Sequence, residues 1–196
     1  MYDFIEGDID NVTPTVAVIN NNGIGYSINI SLNTFSQVKD LKRCRLYIHQ
    51  VVREDLISLF GFYEKAEREV FQNLISVSGI GPNTARVVLS ALTAQEVVDA
   101  VASEDVARFQ SVKGIGAKTA SRIIIDLKGK IDKGSIATTL VGGITVTQNK
   151  NEALSALVML GFNKQTAEKA LNKVIKDNNN EELPVDRLVK LTLQIL

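Results

Sequence analysis

The sequence predicts an α+β protein with several domains: a small N-terminal β-barrel, a central all-α domain and a C-terminal three-helix unit. Two observations predict the first two parts. Five short apolar segments precede any long helical pattern, and one pattern of apolar and glycine residues is then written twice. A third observation separates the last part, because helical periodicity disappears after residue 131 and resumes at residue 151.

Residues 1–63 contain short segments with the composition of β-strands, separated by turn signals. The segments cover residues 2–10, 16–19, 24–30, 45–53 and 56–62. Asn21-Asn22-Gly23 predicts a tight turn, Glu54-Asp55 joins the last two strands, and residues 33–38 predict a short helix. Five short strands favour a small closed barrel of the OB type, which commonly binds nucleic acid, although the fold alone does not prove that use.

The repeated pattern occupies residues 74–89 and 109–124, and its two copies are 35 residues apart. Each copy holds an apolar stretch, a Gly-Ile-Gly triplet, a Thr-Ala pair and a closing apolar pair in the same register. The first glycine of each triplet, Gly79 or Gly114, is expected to end a helix with positive φ. The second, Gly81 or Gly116, lets the backbone come close to a ligand.

This is the helix-hairpin-helix pattern, in which the second helix begins with free N–H groups that suit a phosphate. Ile80 and Ile115 are expected to plug the hairpins into the core. A dinucleotide-binding loop needs a preceding strand and a third glycine, and neither is present. One copy alone would favour two helical turns without a ligand, whereas two copies in register, the second rich in Lys and Arg, favour a grip on the sugar-phosphate backbone.

The predicted DNA-binding residues lie in the two hairpins and at the helix starts that follow them. They are Gly79, Ile80, Gly81, Asn83, Thr84 and Arg86 in the first copy, and Lys113, Gly114, Ile115, Gly116, Lys118, Thr119 and Arg122 in the second.

The central domain is assigned to residues 64–133, with helices over residues 64–77, 84–92 and 94–102, another from Glu104, and a last one that ends near Lys130. Thr93 and Glu96 form a capping-box pattern, and Ser103 is expected to cap the helix from Glu104. Residues 134–150 are assigned to a flexible linker, part of which is apolar enough to dock elsewhere.

The C-terminal unit is assigned to residues 151–196, as three short helices of the UBA-like type. They are expected over residues 152–160, 163–175 and 185–196, with Asn163 as the cap of the second. Apolar side chains left exposed in so small a unit would mark a partner surface.

The formal net charge is zero, from 22 basic and 22 acidic residues, so a nucleic-acid site requires an uneven distribution of charge. The charge is unevenly distributed, because residues 113–133 contain six basic residues and two acidic ones. Cys44 is the single cysteine and His49 the single histidine, which excludes an internal disulfide and a metal site made by these two alone.

No enzyme site is visible in the sequence. The Gly129-Lys130 pair is followed by Ile131 and therefore fails the Walker A pattern, and histidine-based triads lack a second histidine. We expect no catalytic residue, metal or cofactor. With no apolar run near the roughly 20 residues that span a bilayer and no signal peptide, we expect a cytoplasmic protein.

The chain resembles the RuvA family, the junction-binding subunits of the bacterial branch-migration complex. The resemblance is carried by Gly25-Tyr26, Arg53-Glu54-Asp55, both hairpins and Leu160-Gly161-Phe162, in this order. It implies a homotetramer, one or two per junction, that holds a Holliday (four-way) junction open and planar. It also implies a RuvB-type hexameric ATPase and a RuvC-type resolvase as partners, with roles in recombination, DNA repair and the SOS response.

The same resemblance assigns roles to residues outside the hairpins. Glu54 and Asp55 match the acidic tips at the centre of the junction, where negative charge repels phosphates and selects the four-way shape. Leu157, Leu160 and Phe162 match the face that meets the motor subunit, although from the sequence alone a position in the core explains all three equally well. Asn83 stands where the family often carries Lys.

Two other interpretations are open from the sequence. A general structure-selective DNA-binding module of a nuclease or repair complex is the alternative, and a nuclease would need a metal-binding carboxylate cluster near the hairpins, which the sequence lacks. A protein-interaction scaffold would make Lys118 and Arg122 ordinary surface bases.

Overall fold

A computed structural model describes residues 2–131, 146–178 and 183–196, with backbone alone for residues 131 and 146–148. The chain divides into two compact units, residues 1–141 and residues 142–196. The predicted domain boundaries stay predictions.

The first unit begins with a closed five-stranded barrel. Its strands are β1 (Phe4–Val12), β2 (Val16–Asn21), β3 (Ile24–Ile30), β4 (Arg43–Val52) and β5 (Ile57–Phe62), and helix α1 (Leu32–Val38) lies between β3 and β4. The strand order is β1-β2-β3-β5-β4, with β4 paired back to β1. Every pair is antiparallel except β3 with β5. The predicted barrel of the OB type is confirmed.

Alternation along the strands explains why this segment closes into a barrel. Ile19, Ile28 and Leu46 are completely buried, while the residues beside them in the chain are at least partly exposed. The predicted turn between β2 and β3 contains Asn22 at φ 51° and Gly23 at φ 88°. Two successive positive φ values match the twist of a two-residue hairpin, so this turn fixes the strand register.

In the described part of this unit, five helices follow the barrel: α2 (Lys65–Ile75), α3 (Pro82–Ala91), α4 (Ala94–Ala102), α5 (Val106–Gln110) and α6 (Ala117–Ile131). Their buried residues form one core that extends into β5. The Phe71 ring lies 5.2 Å from that of Phe60 and 4.9 Å from that of Phe62, centroid to centroid. The helices therefore pack on the barrel through shared aromatic side chains.

The helix caps are partly those predicted. The Thr93–Glu96 capping box is present at the start of α4. The expected cap of the next helix, Ser103, is wrong: this residue ends α4, and its hydroxyl donates to the Asp99 carbonyl. Glu104 has φ 55°, and this turn delays α5 until Val106, so that Asp105 accepts from the Arg108 N–H.

A buried carboxylate joins α2 to α1. Glu67 is 4% exposed, and its two oxygens accept from the hydroxyls of Ser31 and Thr34. Burial raises the pKa of Glu67 above its ordinary value, and the two hydroxyl hydrogen bonds partly oppose that shift. The Thr34 hydroxyl also accepts from the Tyr63 N–H at 3.2 Å, so the end of β5, α1 and α2 meet at one polar contact.

The second unit contains α7 (Val146–Met159), α8 (Lys164–Asp177) and α9 (Val185–Leu193). The predicted three helices and the Asn163 cap are confirmed, with the Asn163 side chain accepting from the Gln165 N–H at 3.0 Å. Helix α7 begins inside the segment assigned to the linker; the linker residues before it, 134–145, and their expected docking lie outside the described residues. Among the described helices, none is long and apolar enough to cross a bilayer.

Candidate nucleic-acid interface

The two hairpins have the same backbone geometry. The first hairpin (residues 76–81) joins α2 to α3, and the second hairpin (residues 111–116) joins α5 to α6. The Ile80 N–H donates to the Val77 carbonyl at 3.1 Å, and the Ile115 N–H donates to the Val112 carbonyl at the same distance. The sequence repeat is therefore a structural repeat at the level of individual hydrogen bonds.

The first glycine of each triplet has the positive φ predicted for it, and the approach of a ligand at the second stays a prediction. Gly79 and Gly114 both have φ 91°, a region that other residues rarely adopt. A Cβ atom placed on Gly81 or Gly116 would meet no atom of the chain within 4 Å, so these positions face open space. The first glycine makes the turn, and the second leaves room for a ligand at the backbone.

Ile80 and Ile115 hold the hairpins from inside. They are 5% and 6% exposed, and both belong to the core shared by the helices. Because their N–H groups are already hydrogen-bonded within the turn, these residues support the interface and do not themselves offer a donor. The prediction that they plug the hairpins into the core is confirmed.

The helix starts after the hairpins present unpaired donors. The first N–H group bonded within α3 is that of Ala85, which donates to the Gly81 carbonyl at 2.9 Å, and Ala120 donates to the Gly116 carbonyl of α6 at the same distance. The N–H groups of the preceding helical residues have no partner inside the helix. They point outward along the positive end of the helix dipole, which favours an oxyanion such as phosphate.

The two helix starts are not equal. Pro82 opens α3 and lacks an N–H, so α3 offers one donor fewer than α6, which opens with Ala117. The exposed side chain that follows is Asn83 in the first copy and Lys118 in the second. The two helix starts therefore differ both in the number of backbone donors and in the charge of the exposed side chain.

The basic side chains of the second copy are exposed. Lys113, Lys118 and Arg122 are all open to solvent, and the last two line a shallow surface depression with Ser121. Thr84 and Thr119 are half-buried at equivalent positions of the two helices. Arg122 and Lys118 are one helical turn apart, which places both charges beside the free donors of α6.

Arg86 has other partners. Its Nη1 atom donates to the Thr15 carbonyl at 3.1 Å and to the Asn29 side-chain oxygen at 3.2 Å, both in the barrel. Sequence spacing alone placed Arg86 with the DNA-binding residues, because it lies on the helix that follows the hairpin. In the structure, the guanidinium of Arg86 is hydrogen-bonded to the barrel.

Glu54 and Asp55 form the acidic tip of a two-residue turn between β4 and β5. The Arg53 N–H donates to the Leu56 carbonyl at 2.8 Å, which closes the turn. Both acids are exposed. The pairing of β1 with β4 ends at Tyr47, so the last residues of β4 extend beyond that neighbour and carry the acidic tip outward.

The apolar residues predicted for partner binding separate into core and surface. Leu157 is completely buried, so its assignment to a contact surface is corrected: it supports the unit from inside. Leu160 and Phe162 are 61% and 36% exposed. Met159, which the sequence interpretation missed, is 89% exposed beside them.

A glycine turn explains this separation. Gly161 has φ 98° and donates to the Val158 carbonyl at 3.0 Å, while the Phe162 N–H donates to the Leu157 carbonyl at 3.2 Å. This is the Schellman arrangement, which ends a helix and directs the residue after the glycine toward the one five positions earlier. Leu160, just before the turn, is left facing solvent.

A barrel of the OB type joined to two matched helix-hairpin-helix units defines a class of proteins built to hold a nucleic-acid backbone. Within the described ranges, no group of three His, Cys, Asp or Glu residues could hold a metal ion. Residues 1–61 match the RuvA N terminal domain, residues 71–129 the SAM-like Helix-hairpin-helix tandem, and residues 148–196 the RuvA, C-terminal domain.

Relatives of full length carry one name, Holliday junction branch migration complex subunit RuvA. The chain is 48% identical over 196 residues to that of Christiangramia forsetii, 45% over 203 residues to that of Bacteroides fragilis and 44% over 199 residues to that of Cytophaga hutchinsonii. Each match covers 100% of both chains. The chain belongs to the RuvA family.

Replacing the two glycines of the second hairpin with Ala should affect different properties, stability at the first and DNA binding at the second. Gly114→Ala should lower the melting temperature, because a Cβ at positive φ costs about 1–2 kcal/mol. Gly116→Ala should leave the melting temperature unchanged, since its Cβ meets nothing in the chain, yet should weaken DNA binding by blocking the approach of a phosphate. Thermal melting and fluorescence anisotropy with labelled DNA measure the two effects; full binding by Gly116→Ala would exclude close approach at this glycine.

Proposed function

We propose that this chain is the DNA-binding, non-catalytic subunit of a Holliday junction branch migration complex, and that it binds four-way DNA by structure and not by base sequence. The observation that carries the proposal is the pair of matched hairpins. Both present free helix N-termini, the second adds exposed basic side chains, and both lie in one compact unit with an exposed acidic tip. Backbone donors of this kind bind phosphates in any sequence.

In the proposed mechanism the hairpins supply affinity. Each one presents N–H groups to the sugar-phosphate backbone, and Lys113, Lys118 and Arg122 add charge at the second. Gly79, Gly81, Gly114 and Gly116 allow this approach. Asn83 contributes a neutral polar side chain at the first hairpin, which makes the second hairpin the stronger contact.

The acidic tip supplies selectivity. Glu54 and Asp55 repel any phosphate that lies close to them, so a continuous duplex across the tip is disfavoured. A four-way junction with separated strands leaves an opening at the crossover, and there the tip meets less negative charge. Repulsion by the tip and attraction by the hairpins therefore together favour four-way DNA over a continuous duplex.

The proposed oligomeric state matches the symmetry of the substrate. Four equivalent arms match a homotetramer in which each copy supplies two hairpins and one acidic tip, with one or two tetramers on a junction. The C-terminal unit, with Leu160, Phe162 and the neighbouring Met159 exposed, is proposed to bind a RuvB-type hexameric ATPase, which supplies the motor. A RuvC-type resolvase and a cytoplasmic location complete the proposal and rest on family resemblance.

The function and the role of the acidic tip can be tested in one gel-shift series with four-way, forked and linear DNA. The wild-type chain should bind four-way DNA more tightly than linear DNA of equal length. Glu54→Gln with Asp55→Asn keeps the shape and removes the charge, so linear binding should rise relative to junction binding. A wild type without preference for four-way DNA would contradict the function, and a double variant with unchanged preference would contradict the role of the tip.

The asymmetry of the hairpins predicts opposite effects of two substitutions on the salt dependence of binding. Lys118→Ala should weaken binding to all DNA shapes and reduce the log–log slope by roughly 0.9, the value for one lost phosphate contact. Asn83→Lys should strengthen binding and increase the slope by a similar amount. Lys39→Ala, at an exposed lysine that follows α1, is the control and should leave the slope unchanged. Equal slopes in all four proteins would remove both positions from the phosphate contacts.

The C-terminal unit predicts a separation of binding from motor stimulation. Leu160→Ala should preserve junction binding and helical content but reduce stimulation of a RuvB-type ATPase, because it removes an exposed apolar contact. Leu157→Ala should instead destabilise the unit by about 2–5 kcal/mol, because it empties a buried site. Circular dichroism and ATPase assays separate these outcomes. Normal stimulation by both Leu160→Ala and Phe162→Ala would place the partner surface elsewhere.

A further inference from the structure

We infer that Arg86 is a positioning residue: it holds the first hairpin at a fixed angle to the strand that carries the acidic tip, and it is not a phosphate ligand. The inference rests on the proposed function, because it concerns how one subunit selects four-way DNA. The contacts of Arg86, Asn29 and Leu59 carry it.

Arg86 joins the hairpin helix to the barrel. It lies on α3, two residues after Thr84 at the helix start, and is half-buried. Its Nη1 atom donates to the Thr15 carbonyl at 3.1 Å and to Asn29 Oδ1 at 3.2 Å. Both bonds use Nη1, so a backbone carbonyl and a side-chain amide of the barrel fix the orientation of the guanidinium.

Asn29 passes the connection on to the strand of the tip. It lies on β3, and its Nδ2 atom donates to the Leu59 carbonyl on β5 at 3.1 Å. An amide side chain offers both an acceptor and donors, so Asn29 accepts from Arg86 and donates to Leu59. Because β5 begins next to the acidic tip, the series Arg86–Asn29–Leu59 connects the first hairpin to the tip through three hydrogen-bonded groups.

Other contacts between α3 and the barrel region lie further from the hairpin. The Ser90 hydroxyl accepts from the Leu32 N–H at 3.1 Å. Asn33 Nδ2 donates to the Leu89 carbonyl at 2.6 Å and to the Leu92 carbonyl at 3.1 Å. These bonds fix the C-terminal half of α3, whereas Arg86 bonds the barrel from the half that begins at the hairpin. Its loss would remove the hydrogen bonds between this end of α3 and the barrel and leave its angle to the apolar packing of Ile80 and Ala85 alone.

A change in this angle affects one DNA shape more than another. Binding of a linear duplex depends on the hairpins and gains nothing from the tip. A small change in the angle between hairpin and tip therefore has little effect on the affinity for linear DNA. A four-way junction must satisfy the hairpins and the tip at the same time. The arrangement therefore predicts that Arg86 contributes to the preference for junctions and leaves the number of phosphate contacts unchanged.

The experiment compares the full-length chain with Arg86→Ala, Asn29→Ala and the double variant. Dissociation constants are measured for four-way and linear DNA over a range of salt. Each single variant should reduce the junction-to-linear preference by about tenfold, within the range of coupling between neighbouring residues. The salt slope should stay that of the wild type. The double variant should lose no more preference than either single one, because both break the same series.

Controls separate this role from loss of charge and from unfolding. Arg43→Ala removes an exposed arginine that pairs with Glu6 and Asp8 on the barrel, and it should keep the preference. Asn29→Asp keeps the acceptor for Arg86 and loses the donor to the Leu59 carbonyl, so its preference should fall with folding intact. This conservative variant decides the question if an Ala variant fails to fold.

Three results would overturn the inference. A salt slope lowered by about 0.9 in Arg86→Ala, with equal loss for both DNA shapes, would make Arg86 a phosphate ligand. Unchanged preference in Asn29→Ala and Asn29→Asp would show that the series Arg86–Asn29–Leu59 does not contribute to the preference for four-way DNA. Additive losses in the double variant would show two independent roles. A wild type with no preference for four-way DNA would instead contradict the proposed function, which keeps the two failures distinct.

Discussion

The glycine turn between paired helices is the constraint on which the rest of the structure depends. A residue at φ 91° reverses the chain within a few positions, and the isoleucine that follows is held in the core. The next helix must then start at the surface with its donors unpaired within the helix. The same turn occurs at Gly79 and Gly114 with the same hydrogen bonds, so one backbone conformation produces two helix starts with free donors.

The barrel contributes a fixed frame for these sites. Phe71 of α2 packs between Phe60 and Phe62 of β5, and the buried Glu67 carboxylate ties α2 to α1. The strand that supports the helical core is also the strand that begins at the acidic tip. The hairpins and the acidic tip are thus connected through β5, which a chain of independent domains would not provide.

The sequence was sufficient for those features that depend on local chemistry. Composition and turn signals predicted the strands, and Asn22-Gly23 predicted the tight turn. The Gly-Ile-Gly triplets predicted both the positive φ and the buried isoleucines. Features that depend on tertiary contacts could not be predicted in this way. Arg86 occupies a position typical of a ligand-binding residue, and only the fold brings it to Thr15 and Asn29. The positive φ of Glu104, which moved a cap from Ser103 to Asp105, likewise has no signal in the sequence.

The central claim is that backbone N–H groups at two helix starts hold DNA phosphates. Amide hydrogen exchange on the millisecond timescale, resolved to single residues, tests it directly in the full chain with and without four-way DNA. We predict slower exchange on DNA binding at Asn83, Thr84, Lys118 and Thr119. Little change is expected at Ile80 and Ile115, whose N–H groups are already bonded. Unchanged exchange at all four helix-start residues, under conditions where the DNA is bound, would contradict it.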